Sequence, residues 1–112
     1  MPFIQLEEMS QSEPIPGFRG RFIHSENMTI ADWRIKKGSS FPEHSHPHEQ
    51  IAFILEGKFE LTLEGEARIL TPGTIAIIPS NMPHEGKALT ECTLVDMFYP
   101  VREDLRQEPE HK

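Results

Sequence analysis

Residues Gly38-Ser-Ser-Phe-Pro-Glu-His44-Ser-His46-Pro-His48-Glu-Gln50, running into Ile51-Ala-Phe-Ile-Leu55 and a glycine at 57, decide the reading of this chain. Three imidazoles lie within five residues, and a carboxamide follows two residues later. In a strand, alternate side chains share a face, so His44, His46, His48 and Gln50 would all point one way. Pro47 has no N–H to give a central ladder and should mark a bend or an edge. That bend decides whether His48 or Gln50 stays in line with the first two histidines. Gln50 to Leu55 reads as a strand whose first residue looks inward. Imidazole nitrogens and an amide oxygen are suitable ligands for a divalent first-row metal.

A second stretch follows. Gly73-Thr-Ile-Ala-Ile-Ile-Pro79-Ser-Asn81-Met-Pro-His84 is a strand, a turn and a histidine. Together the two stretches resemble the paired motifs of the cupin superfamily. Gly38, His44, His46 and Gly57 stand at the gaps of the first motif, with Gln50 where glutamate is usual. Gly73, Pro79 and His84 fit the second, with Asn81 in place of a glycine and Ala88 in place of a common asparagine. Asn tolerates the left-handed conformation that glycine supplies. The resemblance covers about residues 28 to 100. It implies His44, His46, Gln50 and His84 as ligands of one divalent transition metal, among Ni, Zn, Fe, Mn and Co.

Outward from these motifs, the 112 residues suit one domain. Apolar residues make up 37% and charged residues 26%, in the range of a soluble globular protein. No apolar run is long enough to span a bilayer, and no leader pattern opens the chain. Cys92 is the single cysteine and lies in an apolar alternation, which suggests a core thiol and a cytoplasmic protein. A net charge of −7 argues against nucleic acid or an anionic membrane surface as partner. It leaves a small anionic ligand open, because a pocket feels its nearest charges most.

Phe3 to Leu6 alternates briefly and reads as an edge strand or an arm on a partner. Glu7 to Gly20 reads as a loop through Pro14, Pro16 and Gly17. Strands are expected at Arg21–His24, Met28–Lys36, Gln50–Leu55, Phe59–Leu63, Ala67–Leu70, Thr74–Ile78 and Ala88–Tyr99. Residues 101 to 112 are charged and begin as a short helix. His24 and His111 carry no pattern and are expected in solvent. His48 is skipped by the motif and is expected to face outward or to lie behind a ligand. Short strands between Gly and Pro turns mean an all-β sandwich or barrel. The motif pair narrows this to a double-stranded β-helix, with a barrel core of about 21–100, an arm over 1–20 and a C-terminal segment. The size suggests a homodimer by family habit.

Gln50 bears on mechanism. Three imidazoles and an amide leave the full charge of a dication in place, which favours an anionic ligand and a Lewis-acid role. Asp96 is a carboxylate inside Leu94-Val-Asp-Met-Phe-Tyr99, and such a group needs a partner or a task. The alternative is an exposed Asp96 paired with a surface arginine. Trp33 and Arg34 either flank the pocket or pack.

Asp96-Met-Phe98-Tyr-Pro100-Val-Arg102-Glu-Asp104 is similar to the C-terminal signature of the small KdgF-type cupins of pectin and alginate breakdown. That resemblance implies conversion of 4,5-unsaturated monouronates from ring to linear keto form, with Asp96, Phe98 and Arg102 in the active site. Asp96 would be the general base, and Arg102 would hold the carboxylate of a small sugar acid. The rival readings are another cupin metalloenzyme (dioxygenase, decarboxylase or sugar isomerase) and a non-enzymatic metal- or sugar-binding module.

Overall fold

The computed structural model describes residues 3–106. Among the described residues, ten strands form two antiparallel sheets. They are β1 (Ser12–Ile15), β2 (Phe18–His24), β3 (Thr29–Ile35), β4 (Ser40–His44), β5 (Glu49–Glu56), β6 (Phe59–Leu63), β7 (Glu66–Leu70), β8 (Ile75–Ile78), β9 (His84–Ala88) and β10 (Cys92–Tyr99). One sheet has the order β1-β2-β3-β10-β5-β8, and the other β4-β9-β6-β7. This is the jelly roll of a double-stranded β-helix.

Alternation builds the interior. On β10, Cys92, Leu94, Asp96 and Phe98 are buried while the residues between them are not. Phe18, Trp33 and Ile35 meet them from one side of the core, and Phe59, Leu61 and Leu70 from the facing sheet. Phe18 packs edge-on to Trp33, with ring centroids 5.8 Å apart, and likewise to Phe41 and Phe59. On β9 the inward position between His84 and Ala88 is Gly86. A Cβ there would lie 2.5 Å from the Phe59 ring and 2.7 Å from the Phe41 ring, so only glycine lets the two aromatics close under the site.

Several expectations are corrected. Phe3–Leu6 is no edge strand. It is irregular and leads into a 3-10 turn at Leu6–Glu8, and Phe3 and Ile4 are exposed. Four alternating residues without a sheet partner do not hold a strand. The loop expected over 7–20 contains β1 and the start of β2. Pro16 and Gly17 form a hairpin turn, with Gly17 at φ +86° and its N–H on Glu13 Oε2 at 2.8 Å. The long strand expected over 88–99 begins only at Cys92: Ala88 ends β9, and the chain turns over 89–91, where the Leu89 N–H donates to the Lys58 carbonyl at 2.9 Å. The C-terminal helix is one 3-10 turn, Glu103–Leu105, and His111 lies outside the described residues.

Candidate metal centre

The histidine segment is a strand only as far as His44. It bends through Ser45–His48, as Pro47 suggests, and resumes as β5. The bend tucks His46 under the sheet edge and leaves Gln50 inward and buried. The second stretch docks on this bend. Asn81 takes φ +64°, and its N–H donates to the His46 carbonyl at 2.7 Å. That turn delivers His84 into β9, opposite His44 in the ladder.

The ligand atoms of His44, His46 and His84 therefore lie within 4.8 Å of one another. Each ring is oriented the same way. Nδ1 of His44 faces the Pro42 carbonyl at 3.2 Å, that of His46 the His48 carbonyl at 3.0 Å, and that of His84 the Met82 carbonyl at 2.8 Å. A carbonyl only accepts, so Nδ1 holds the proton and each Nε2 keeps its lone pair for a cation. Burial pushes the His46 imidazolium down to about 4, helped by the nearby Arg102 charge and by His84. Burial also lowers His84. Neutral imidazoles are the form a metal needs.

Gln50 supplies a second sign. Its Nε2 donates to Asp96 Oδ1 at 2.9 Å, which turns Oε1 toward His46 Nε2 at 3.1 Å. With its Nδ1–H on a carbonyl, His46 presents an acceptor, and so does Gln50. A cation satisfies both, so the donor set of three imidazoles and an amide oxygen fits a divalent metal.

Asp96 is 7% exposed and sits between Ala31 and Ala52 in the ladder, whose methyls leave space for its carboxylate. Its second oxygen, Oδ2, accepts from Trp33 Nε1 at 3.1 Å. Burial raises its carboxyl to about 6, against the pull of the Gln50 and Trp33 hydrogen bonds. Phe98 stands edge-on to His46 at 5.7 Å, and the Arg102 guanidinium lies over the Phe98 ring at 4.6 Å. All these groups line one cavity of about 250 Å³.

The structure thus brings His44, His46, Gln50, His84, Asp96, Phe98 and Arg102 to one place. His48 is half-buried, and its carbonyl orients His46. His24 is not in solvent. It is half-buried, with Nδ1 on Thr29 Oγ1 at 2.8 Å. Trp33 belongs to the site, whereas Arg34 points outward to Asp32 at 2.9 Å.

The family model described as a cupin domain matches residues 31–98, more than half of the chain. The chain belongs to the cupin family. Within that family this cupin is KdgF-like. It is 35% identical over 82 residues to the pectin degradation protein KdgF of Dickeya dadantii, covering 71% of this chain and 74% of that protein. It is also similar to the solved structure of KdgF from Halomonas sp., with a TM-score of 0.88 and 28% identity over 95% of this cupin and 99% of that chain. A 59-residue segment, 51% of this cupin, is 50% identical to quercetin 2,3-dioxygenase of Bacillus subtilis but spans only 17% of that protein.

Two site residues were not settled by the sequence: Trp33, left between flanking the pocket and packing, and Asp104. Trp33 faces Asp96 only through the β3–β10 register, in which Trp33 pairs with Leu94 and Ala31 with Asp96. Its inward place on an alternating strand was the available signal. Asp104 was quoted with the C-terminal signature but given no role. It binds Arg102 at two points, from Nε at 2.8 Å and Nη2 at 2.7 Å.

Proposed function

We propose that this cupin is an enzyme that opens the ring of 4,5-unsaturated monouronates from pectin or alginate, giving the linear keto form. The observation that carries the proposal is a buried carboxylate, Asp96, hydrogen-bonded to Gln50 beside the three-histidine cluster, with one guanidinium, Arg102, over the same cavity. The KdgF relatives support the substrate class.

His44, His46, Gln50 and His84 would hold one divalent ion, from among Ni, Zn, Fe, Mn and Co. When bound, that ion supplies Lewis-acid stabilisation to an oxygen that gains negative charge. Arg102 binds the substrate carboxylate. Asp96 takes the proton of the anomeric hydroxyl. The carbon–oxygen bond of the hemiacetal ring then breaks as the aldehyde carbonyl forms, and the ring oxygen leaves as an enol oxygen. Protonation at carbon 4 converts the enol to the ketone, and the proton held by Asp96 is available for that step. No oxidant or second substrate is consumed. A carboxyl near 6 is basic enough to take a proton and weak enough to return it. Trp33 and Gln50 fix both Asp96 oxygens, and the Phe98 ring supports Arg102.

The working unit we propose is a homodimer in the cytoplasm, with neither nucleic acid nor membrane as partner. The outer face of the six-stranded sheet supports the dimer. Ile30, Met97, Ile51 and Ile77 form one cross-strand row there, and Val95, Phe53 and Ile75 the next. Ile75 and Ile77 are each 63% exposed. The buried, unpaired thiol of Cys92 suits a reducing compartment.

Proton NMR of unsaturated monouronate mixed with metal-loaded protein tests the reaction. The vinyl signal of carbon 4 should give way to the methylene of the keto form ahead of the spontaneous reaction. A vinyl signal that decays no faster with protein than without it would end the proposal.

A further inference from the structure

Arg102 already holds a carboxylate. Asp104, two residues along the chain, accepts from Nε at 2.8 Å and from Nη2 at 2.7 Å, the side-on fork that guanidinium offers an acid. Both residues line the cavity that contains the histidine cluster. Their exposure is unequal: the Arg102 side chain is 14% exposed and that of Asp104 60%. Arg102 is also fixed from behind, by the Phe98 ring at 4.6 Å and by its own N–H on Thr29 Oγ1 at 2.8 Å. Asp104 sits in the 3-10 turn Glu103–Leu105, which buries no residue. The cation is therefore the anchored member of the pair and the carboxylate the one that can swing away.

We infer that Asp104 sets how tightly this site takes an acid, as an internal stand-in for the carboxylate of the ligand that an incoming acid must displace from Arg102. The inference rests on the proposed role of Arg102 as carboxylate binder. Exchange of one carboxylate for another conserves the forked hydrogen bonds, so a sugar acid loses little by displacing Asp104. A neutral sugar has no carboxylate with which to displace Asp104, so it meets the Arg102–Asp104 pair intact. The same contact weakens the binding of the correct acid, because part of the protein carries an occupied Arg102. An exposed ion pair of this kind is worth a factor of about two to five in an equilibrium.

Calorimetric titration of metal-loaded protein with galacturonate, a saturated uronate that cannot react, and with neutral galactose tests this. Wild type, Asp104→Asn, Asp104→Ala, Glu103→Gln and Arg102→Gln would be compared. Both Asp104 variants should bind galacturonate about two- to five-fold tighter. Galactose binding should change less, so the preference for acid over neutral sugar moves with Arg102 access. Glu103→Gln removes the same charge one residue away from a side chain that pairs with Arg106. It should have a smaller effect. Weaker galacturonate binding by the Asp104 variants, or equal tightening by Glu103→Gln, would overturn the inference. If Arg102→Gln weakens galacturonate while the Asp104 variants bind it as wild type does, the role of Asp104 fails alone. If Arg102→Gln binds galacturonate as tightly as wild type, the carboxylate assignment of Arg102 fails, and that of Asp104 with it.

Discussion

Replacing Gln50 with glutamate, the residue most cupins of this motif carry, should damage this chain. Gln50 is 8% exposed and Asp96 7%, and the amide N–H reaches Asp96 Oδ1 across 2.9 Å. An ionised Glu at position 50 has no hydrogen to give, and it sets a second buried carboxylate against the first. The pair must then share one proton, as like charges at this range do. The lost charged hydrogen bond and the retained proton cost the metal-free protein about 1–3 kcal/mol at neutral pH and above. In a domain of this size that lowers the melting temperature by roughly 4–12 °C. The shared proton is bound in the folded pair and released in the unfolded chain. A carboxyl raised in the fold gives stability that is present at low pH and fades as pH rises through the folded value. The deficit of the variant against wild type should therefore be small near about pH 5 and full by about pH 8. Added metal should recover more stability in Gln50→Glu than in wild type, because the new charge binds the ion. Differential scanning fluorimetry in EDTA across this range reads the deficit, and repetition with metal reads the recovery. A Gln50→Glu protein that melts with wild type at pH 8 in EDTA, or whose deficit is the same at both ends, would refute the Gln50–Asp96 coupling.

Asp96→Asn should retain metal, since no ligand is lost, yet slow ring opening by about 10²–10⁴-fold, the usual worth of a general base. Full turnover in the metal-loaded variant would remove Asp96 from the mechanism. His24 Nδ1 shares a hydrogen bond with Thr29 Oγ1, which accepts the Arg102 N–H at 2.8 Å, and burial lowers the His24 imidazolium. A histidine lowered in the fold gives stability that is complete above the unfolded value near 6.5 and is lost as pH falls below it. His24→Gln should accordingly flatten the acid side of the stability curve of metal-loaded protein, and identical slopes would contradict this. Ile77→Asp places a charge on the exposed apolar row of the six-stranded sheet. It should convert the proposed dimer to monomer in analytical ultracentrifugation, while a mass equal to that of wild type would contradict an interface on this face.

The parts of the site that lie within one strand were legible in the sequence. The shared face of Asp96 and Phe98 follows from period two on an alternating strand, while His46 lies in the bend beyond β4 and was found through the motif spacing. Pro47 announced the bend that keeps Gln50 inward. What depended on pairing between strands was not legible. Trp33 and Asp96 are 63 residues apart, and only the β3–β10 register places the indole on the carboxylate. β9 was hidden because His84-Glu-Gly-Lys-Ala88 carries little strand propensity. Its inward glycine is there because Phe41 and Phe59 fill the space beneath it. β1 was hidden because its one proline, Pro14, lies on an edge, where a missing N–H costs nothing, and Pro16 belongs to the hairpin turn that follows. Asp104 is only two residues from Arg102, but Glu103 between them is an equal candidate until the 3-10 turn sends it to Arg106.

The central claim is that this metal site opens an unsaturated uronate ring. Its most direct test is the loss of near-ultraviolet absorbance of freshly made 4,5-unsaturated monouronate in the presence of metal-loaded protein. The account predicts decay well above the spontaneous rate, abolished by EDTA and restored by adding the metal back. Decay at the spontaneous rate, in protein of verified metal content, would contradict it.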